Sequence, residues 1–155
     1  MKRLFPFGGL LAVCLAAFGP LTHAQTPLGL IAVKSAFATK ETMDRFEATA
    51  RKRGLASFAR IDHAAGAASV GESLRPTEVI IFGNPQGGTP LMQCAQTAGI
   101  DLPLKALAWQ DAAGQVWLGY NDPAYIAKRH MAKACPVVKK LTEALSGLAR
   151  ASTAP

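Results

Sequence analysis

Beyond the first two dozen residues the chain carries two histidines, His63 and His130, and two cysteines, Cys94 and Cys135. Asp62 precedes the first histidine, Glu78 opens an apolar run, and Asn84 sits in the glycine-rich loop after that run. Two imidazoles and a carboxylate suit either a divalent cation or acid–base work, because imidazole titrates near neutral pH. Each of these side chains serves equally well as hydrogen-bonded structure, and spacing alone does not bring them together. The leading expectation is a binding site for a small ligand or metal ion. It would be built from His63, Glu78 and His130, with Asn84 and Asp62 beside them, in otherwise apolar or tightly turned surroundings.

The loop Gly83-Asn84-Pro85-Gln86-Gly87-Gly88-Thr89 invites a phosphate-binding reading. A P-loop needs GxxxxGK[ST], whose lysine reaches the outer phosphates, and this loop has none; the GxGxxG dinucleotide pattern is missing too. Thr89-Pro90 places a capping residue before a proline, so the loop reads as a tight strand-to-helix connection with the helix starting there. Nor is there a GxSxG elbow, an HExxH pair or a cysteine pair at zinc-finger spacing. No motif names a cofactor.

Sulfur offers two further readings. Cys94 and Cys135 in an oxidising compartment are expected to pair, closing a loop of about 40 residues worth roughly 4 kcal/mol in lost chain entropy. Free thiols or a metal or redox role are the alternatives, and the lack of a CxxC motif speaks against thioredoxin-like chemistry. With Met92 and Met131 the cysteines would also make a soft set for Cu(I), although methionine at helical spacing is more often core filler. Trp109, Trp117 and Tyr120 fall across a predicted hairpin. They suit an aromatic wall for an apolar ligand, or packing in a core or dimer interface.

The compartment is read from the start of the chain. Lys2 and Arg3, an apolar stretch from Leu4 to Phe18, and Thr22-His23-Ala24 before Gln25 have the pattern of a secretory signal peptide over residues 1–24. Cys14 is preceded by Val13 where a lipoprotein signal wants a small residue, which disfavours lipidation. The expectation is export to a periplasm, with residues 25–28 as a linker, 29–150 as one domain and 151–155 as a frayed tail. No later segment approaches the roughly 18–20 uninterrupted apolar residues of a membrane span. The formal charge is +7, two of these from Lys2 and Arg3. The remaining cations are dispersed rather than striped with aromatics, which argues against a nucleic-acid partner.

The positioning elements follow from periodicity. Residues 29–37 alternate as a strand with Ile31, Val33 and Phe37 on one face. Thr39 is expected to cap a helix running to Arg53, with Met43, Phe46 and Ala50 inward and Gly54 as its left-handed stop. Residues 55–61 form a second strand of poor alternation, and 62–75 a short helix or an irregular crossing. Residues 78–82 are apolar on both faces, so a central, fully covered strand is expected. Residues 102–110 and 115–121 pair through an Asp111–Gly114 turn. Asp122-Pro123 starts a helix to about Met131, and a last helix from Pro136 stripes Val137, Leu141, Leu145 and Leu148. The expected class is α+β, an antiparallel sheet with helices packed on one face.

The blocks "RIDHAAGA", "LRPTEVIIFGNPQGGTPLMQ" and "GIDLPLKALAWQDAAGQVWLGYNDPAYIAKRH" resemble, in that order, the domain of unknown function 302 family over residues 29–132. The resemblance implies a helix-grip, TATA-binding-protein-like α+β fold and a homodimer, and brings no settled activity. Asp62, His63, Glu78, Asn84, Asp101, Asn121, Asp122 and His130 match its motifs. The signal peptide and cysteine pair lie outside that pattern. Two alternatives stand beside the binding module. One is a structural or accessory homodimer subunit of an exported complex; the other, less favoured, is a small enzyme using His/Glu acid–base chemistry.

Overall fold

A computed structural model of the chain describes residues 28–155. The expected signal peptide and residues 25–27 of the linker lie outside the described residues. Five strands, β1 (Leu30–Lys34), β2 (Ala56–Asp62), β3 (Thr77–Gly83), β4 (Leu104–Gln110) and β5 (Val116–Asn121), form one sheet in the order β1-β5-β4-β3-β2. Every neighbouring pair is antiparallel. The helices are α1 (Thr39–Lys52), α2 (His63–Ser69), α3 (Pro85–Cys94), α4 (Pro123–Arg129) and α5 (Val137–Thr153), with a 3-10 turn at Gln96–Ile100.

The period-two pattern sends Ile80, Phe82, Ala106, Ala108, Leu118 and Tyr120 to one face of the sheet. There they meet Met43, Phe46 and Ala50 of α1 and Leu145, Leu148 and Ala149 of α5 in one buried cluster. Phe46 and Phe82 meet edge to face, with ring centroids 4.9 Å apart, the arrangement their quadrupoles favour. Ala106 and Ala108 leave room for the bulky α1 side chains across from them. A second cluster packs α3, the 3-10 turn, α4 and the first half of α5 through Leu91, Ala98, Ile126, Ala127 and Leu141. The α+β class, with its antiparallel sheet and helices on one face, is as expected.

Several local expectations change. Strand β1 ends at Lys34, and Phe37 lies in the following bend, where the Arg45 guanidinium sits 3.9 Å from its ring centroid. Thr39 is the first residue of α1 rather than its cap; the cap position belongs to Ala38, without a side-chain hydrogen bond. Gly54 does adopt φ +75°, and its N–H donates to the Arg51 carbonyl. Helix α3 begins five residues before Pro90: Asn84 caps it and Pro85 occupies its first turn, so the cap-then-proline signal was duplicated and the earlier copy acts. Pro90 lies inside the helix; the Gln86 carbonyl it leaves without a helical donor belongs to an exposed residue.

The tail is not frayed. Helix α5 runs to Thr153, Ser152 and Thr153 are buried, and the Ala36 N–H donates to the Thr153 carbonyl at 3.0 Å. Arg45 Nη2 also donates to the Ala154 carbonyl at 2.9 Å. Nor is β3 covered on both faces. Its Val79 and Ile81 share the other side of the sheet with Leu107, Trp109 and Trp117. All five are half-buried and none belongs to either buried cluster. The two tryptophans stack there at 6.4 Å between ring centroids, whereas Tyr120 points into the core, so the three do not share a wall. Gly119 is required beneath them: a Cβ at this position would lie 2.8 Å from Trp109 Cζ3.

Phe46→Ala removes a ring that touches both α1's own turn and Phe82. A loss of about 3–5 kcal/mol is expected in urea denaturation, and a loss below about 1 kcal/mol would mean the cluster does not govern the fold.

Candidate ligand-binding site

A cleft opens where β2 and β3 run past the covering helices. The extra residue of a β-bulge falls at Phe58: Ser57 pairs with Phe82 and Ala59 with Ile81, which leaves Phe58 without a partner. Its ring is 57% exposed and lies beside Gly83. From β3 the chain turns through Asn84 into α3, which supplies Gly87, Gly88 and Met92, and then through the 3-10 turn to Leu102 and Pro103. Leu55, Leu104 and Leu141 complete the walls of a cleft of about 370 Å³, within the range of small-molecule sites.

The Asn84 side chain of this cleft is engaged locally. Asn84 Oδ1 accepts from the Gly87 N–H at 2.9 Å, and Asn84 Nδ2 donates to the Gly54 carbonyl at 3.2 Å. The Gly88 N–H donates to the Asn84 carbonyl at 3.2 Å. No charged side chain lines the walls. The glycine loop is thus a capped turn in which the Gly87 and Gly88 N–H groups are already used, and the space beside it is largely apolar.

The residues expected to form one polar site are dispersed. Asn84 borders the apolar cleft. Asp62 caps α2 by accepting from the Ala65 N–H at 2.9 Å, and with Glu78 it borders a smaller cleft of about 180 Å³. His63, the first residue of α2, is exposed. His130 is held at the far side of the molecule's second cluster, with Nε2 2.7 Å from Asp101 Oδ2 and Nδ1 3.0 Å from Thr97 Oγ1. Asp101 also receives Arg129 Nη1 at 2.9 Å. Asp62 and Glu78 pair near the start of β3, whereas Asp101, which holds His130, lies three residues before Leu104, the partner of Phe82 near the other end of a strand about 20 Å long. His63, Glu78 and His130 therefore do not converge. Among the described residues, no three His, Cys, Asp or Glu side chains come close enough to share a metal ion.

Glu78 is committed elsewhere. Arg60 forks onto it through Nε and through Nη2, the latter at 3.0 Å from Oε2. Arg60 Nη1 also reaches Asp44 Oδ1 at 2.5 Å and Glu47 Oε2 at 3.3 Å, so three carboxylates surround one guanidinium and tie α1 to the sheet. Hydrogen bonding to Glu78, and then to Asp44, raises the Arg60 pKa against the opposing effect of burial. The Asp44 carboxyl is lowered, first by its hydrogen bond from Lys40 and then by that from Arg60. Asp111 is lowered as well, chiefly because Trp117 Nε1 donates to its Oδ2 at 2.8 Å.

Cys94 and Cys135 are joined in a disulfide, with Cα atoms 6.0 Å apart. The bridge removes the thiolates that a copper set would need, Met92 lines the apolar cleft, and Met131 is 94% exposed.

Residues 31–148 match the family described as "Domain of unknown function DUF302". The chain belongs to the DUF302 family. Two curated relatives, fluoride-specific ion channel FluC 1 of Brucella suis biovar 1 (strain 1330) and of Brucella abortus biovar 1 (strain 9-941), are each 54% identical over 102 residues. That stretch is 66% of this chain but 40% and 38% of those proteins, so the chain spans well under half their length. The crystal structure of an uncharacterized conserved DUF302 protein from Bacillus stearothermophilus superposes with a TM-score of 0.74. It is 16% identical, and the match covers 81% of this chain and 99% of that one, a likeness of fold.

Within this DUF302 domain, sequence reasoning found Asn84 but missed Phe58, Met92, Leu102, Leu104 and Leu141 as walls of one space. The available signal was the broken alternation of residues 55–61, which marks the bulge.

Two expectations follow. His130→Ala leaves Oδ2 of the largely buried Asp101 without its partner, although Arg129 stays on Oδ1, and should cost about 1–3 kcal/mol in urea denaturation, while His63→Ala at its exposed site should stay within about 0.5 kcal/mol. Equal effects would contradict the separate placements. Because the folded Asp44 pKa is depressed, its contribution is present above the unfolded value of about 3.9 and is lost as pH falls through the lower folded value. Carboxyl NMR of Lys40→Met should show Asp44 titrating closer to that ordinary value, and an unmoved titration would remove Lys40 as the main cause.

Proposed function

We propose that the protein is an exported module that binds a small, uncharged, apolar ligand in the cleft between β2, α3 and α5. The observation that carries this reading is the cleft's lining: Phe58, Met92, Leu102 and Leu141 face the space, no charged side chain does, and the Asn84 amide is already paired, leaving the Thr89 hydroxyl as the one other polar side chain. An ionic ligand would lose its hydration there without gaining a counter-charge, whereas an apolar one gains roughly 25 cal/mol for each Å² it buries. Export is supported by the amino-terminal pattern and by the Cys94–Cys135 bridge, which persists most readily in an oxidising compartment. The Brucella relatives are named for fluoride conduction. The matched segment is 40% or less of those proteins, and among the described residues here no helix is long and apolar enough to cross a membrane. Ligand binding, rather than conduction, is therefore the activity assigned to this domain.

A second reading, pairing into a homodimer, is favoured by the uncovered sheet face. Val79, Ile81, Leu107 and the stacked Trp109 and Trp117 make an apolar surface, with Ile61 43% exposed at its margin. Two copies of such a face meet isologously about a two-fold axis. This assembly is compatible with the cleft, which lies beyond the end of the sheet.

The neutral dye N-phenyl-1-naphthylamine should bind mature protein with enhanced fluorescence. Gly88→Leu should weaken it about tenfold or more, because a side chain at Gly88 projects toward Leu102, 3.6 Å from its Cβ position. It should do so without loss of stability, since leucine is the better helix former. Undiminished binding in that variant would move the ligand site elsewhere. Light scattering should report twice the chain mass, reduced to one by Leu107→Glu; a monomeric wild type would dismiss the dimer. A mature amino terminus other than Gln25 in periplasmic material would contradict the assigned export signal.

A further inference from the structure

The two principal walls of the cleft are joined by the only covalent cross-link among the described residues. Cys94 is the last residue of α3, two positions beyond the cleft residue Met92. Cys135 lies just before α5, six positions ahead of the cleft residue Leu141. The bridge therefore fixes the α3 wall to the α5 wall at the point where both elements leave the cleft. Its two ends differ in access: Cys94 is exposed, whereas Cys135 is 7% exposed. A thiol-bearing reagent is therefore expected to attack at Cys94.

The rest of the connection is the small second cluster, in which Leu91 and Ala98 meet Ile126, Ala127 and Leu141, and a few polar contacts. Helix α3 is short, contains Pro90 in its interior, and contributes a single buried residue, Leu91. Beyond the bridge, the turn after α3 reaches α4 through the Thr97–His130–Asp101 hydrogen bonds and the Arg129–Asp101 pair. The main core of α1, α5 and the sheet does not include α3. Breaking the bridge thus acts on the cleft wall before it acts on the fold.

We propose that the Cys94–Cys135 disulfide is a redox lock on the apolar cleft, holding it in its binding geometry when oxidised and releasing the α3 wall when reduced. This rests on the cleft being the ligand site. The reductant is a dithiol. Its thiolate attacks Cys94 Sγ, the S–S bond breaks, and Cys135 leaves as a thiolate that takes up a proton. The second thiol of the reductant then attacks the mixed disulfide, freeing Cys94 as a thiol. Two electrons and two protons pass to the protein, and the reductant departs as its disulfide. Release lets α3 and the following turn move relative to Leu141, and the apolar surface that a ligand would bury is no longer assembled.

The test uses the full mature chain and N-phenyl-1-naphthylamine as probe. Titrations are run on oxidised protein, on protein reduced with dithiothreitol, on reoxidised protein, and on Cys94→Ser/Cys135→Ser. Reduction and the double variant should each weaken the probe about tenfold or more, with recovery on reoxidation. Hydrogen exchange should localise the change: amides of residues 85–102 lose protection while those of α1, β3 and β4 keep it. Equal affinity in the oxidised and reduced forms would overturn the lock and leave the cleft standing. No binding to the oxidised form would overturn the cleft assignment itself, and the lock with it. Loss of protection throughout the sheet on reduction would make the bridge a support of the whole fold and would also overturn the lock.

Discussion

One packing constraint organises this domain: a single antiparallel sheet offers an apolar face that two helices must cover. Phe82 lies on that face near the end of β3, and the edge-to-face contact with Phe46 joins α1 to it. The register of β3 against β2 and β4 then follows, because a slip by one residue would turn Ile80 and Phe82 outward. The Arg60 fork onto Glu78, Asp44 and Glu47 ties α1 to the sheet in this docking. Once α1 and α5 are seated, the strand ends beyond them are left to be enclosed by α3 and its following turn. The cleft forms at that join. The helical layer and the small second cluster meet there without filling the space.

Much of this arrangement was legible in the residue pattern. The inward stripes Met43-Phe46-Ala50 and Leu141-Leu145-Leu148, the hairpin at Asp111–Gly114, and the Asp122-Pro123 helix start all reflect local rules strong enough to act alone. Where two local signals competed, order along the chain decided. Asn84-Pro85 and Thr89-Pro90 both read as cap and proline, and the first to leave the strand began the helix. The end of α5 was misread because small residues such as Ala151, Ser152 and Thr153 look dispensable. Their backbone is fixed from a distance by Ala36 and Arg45, contacts that no local pattern records.

The polar residues illustrate a different limit. His63, Glu78 and His130 carry the chemistry one would expect of a site, yet each has a local reason to be where it is. Glu78 answers Arg60, and His130 braces the turn after α3 through Asp101 and Thr97, while His63 sits exposed where α2 begins. Side-chain chemistry is visible in a sequence, but convergence is a property of three-dimensional placement. The apolar cleft was hidden for the complementary reason: its walls come from four separate stretches, within residues 55–58, 83–92 and 99–104 and at Leu141, none of which signals a site by itself.

The bulge at Phe58 has a bearing on solubility. Strand β2 is an edge of the sheet, with a row of backbone groups that have no strand on their outer side. A regular, flat edge of this kind is a template for recruiting further strands from neighbouring molecules. The extra residue at Phe58 breaks the spacing of those groups midway along β2 and increases its twist, so an incoming strand cannot match more than a few residues on either side. The opposite edge, β1, is limited by its brevity at five residues and by Lys34 at its end. The same irregularity that turns an aromatic ring toward the cleft thus also keeps concentrated, newly folded chains from growing into continuous sheets.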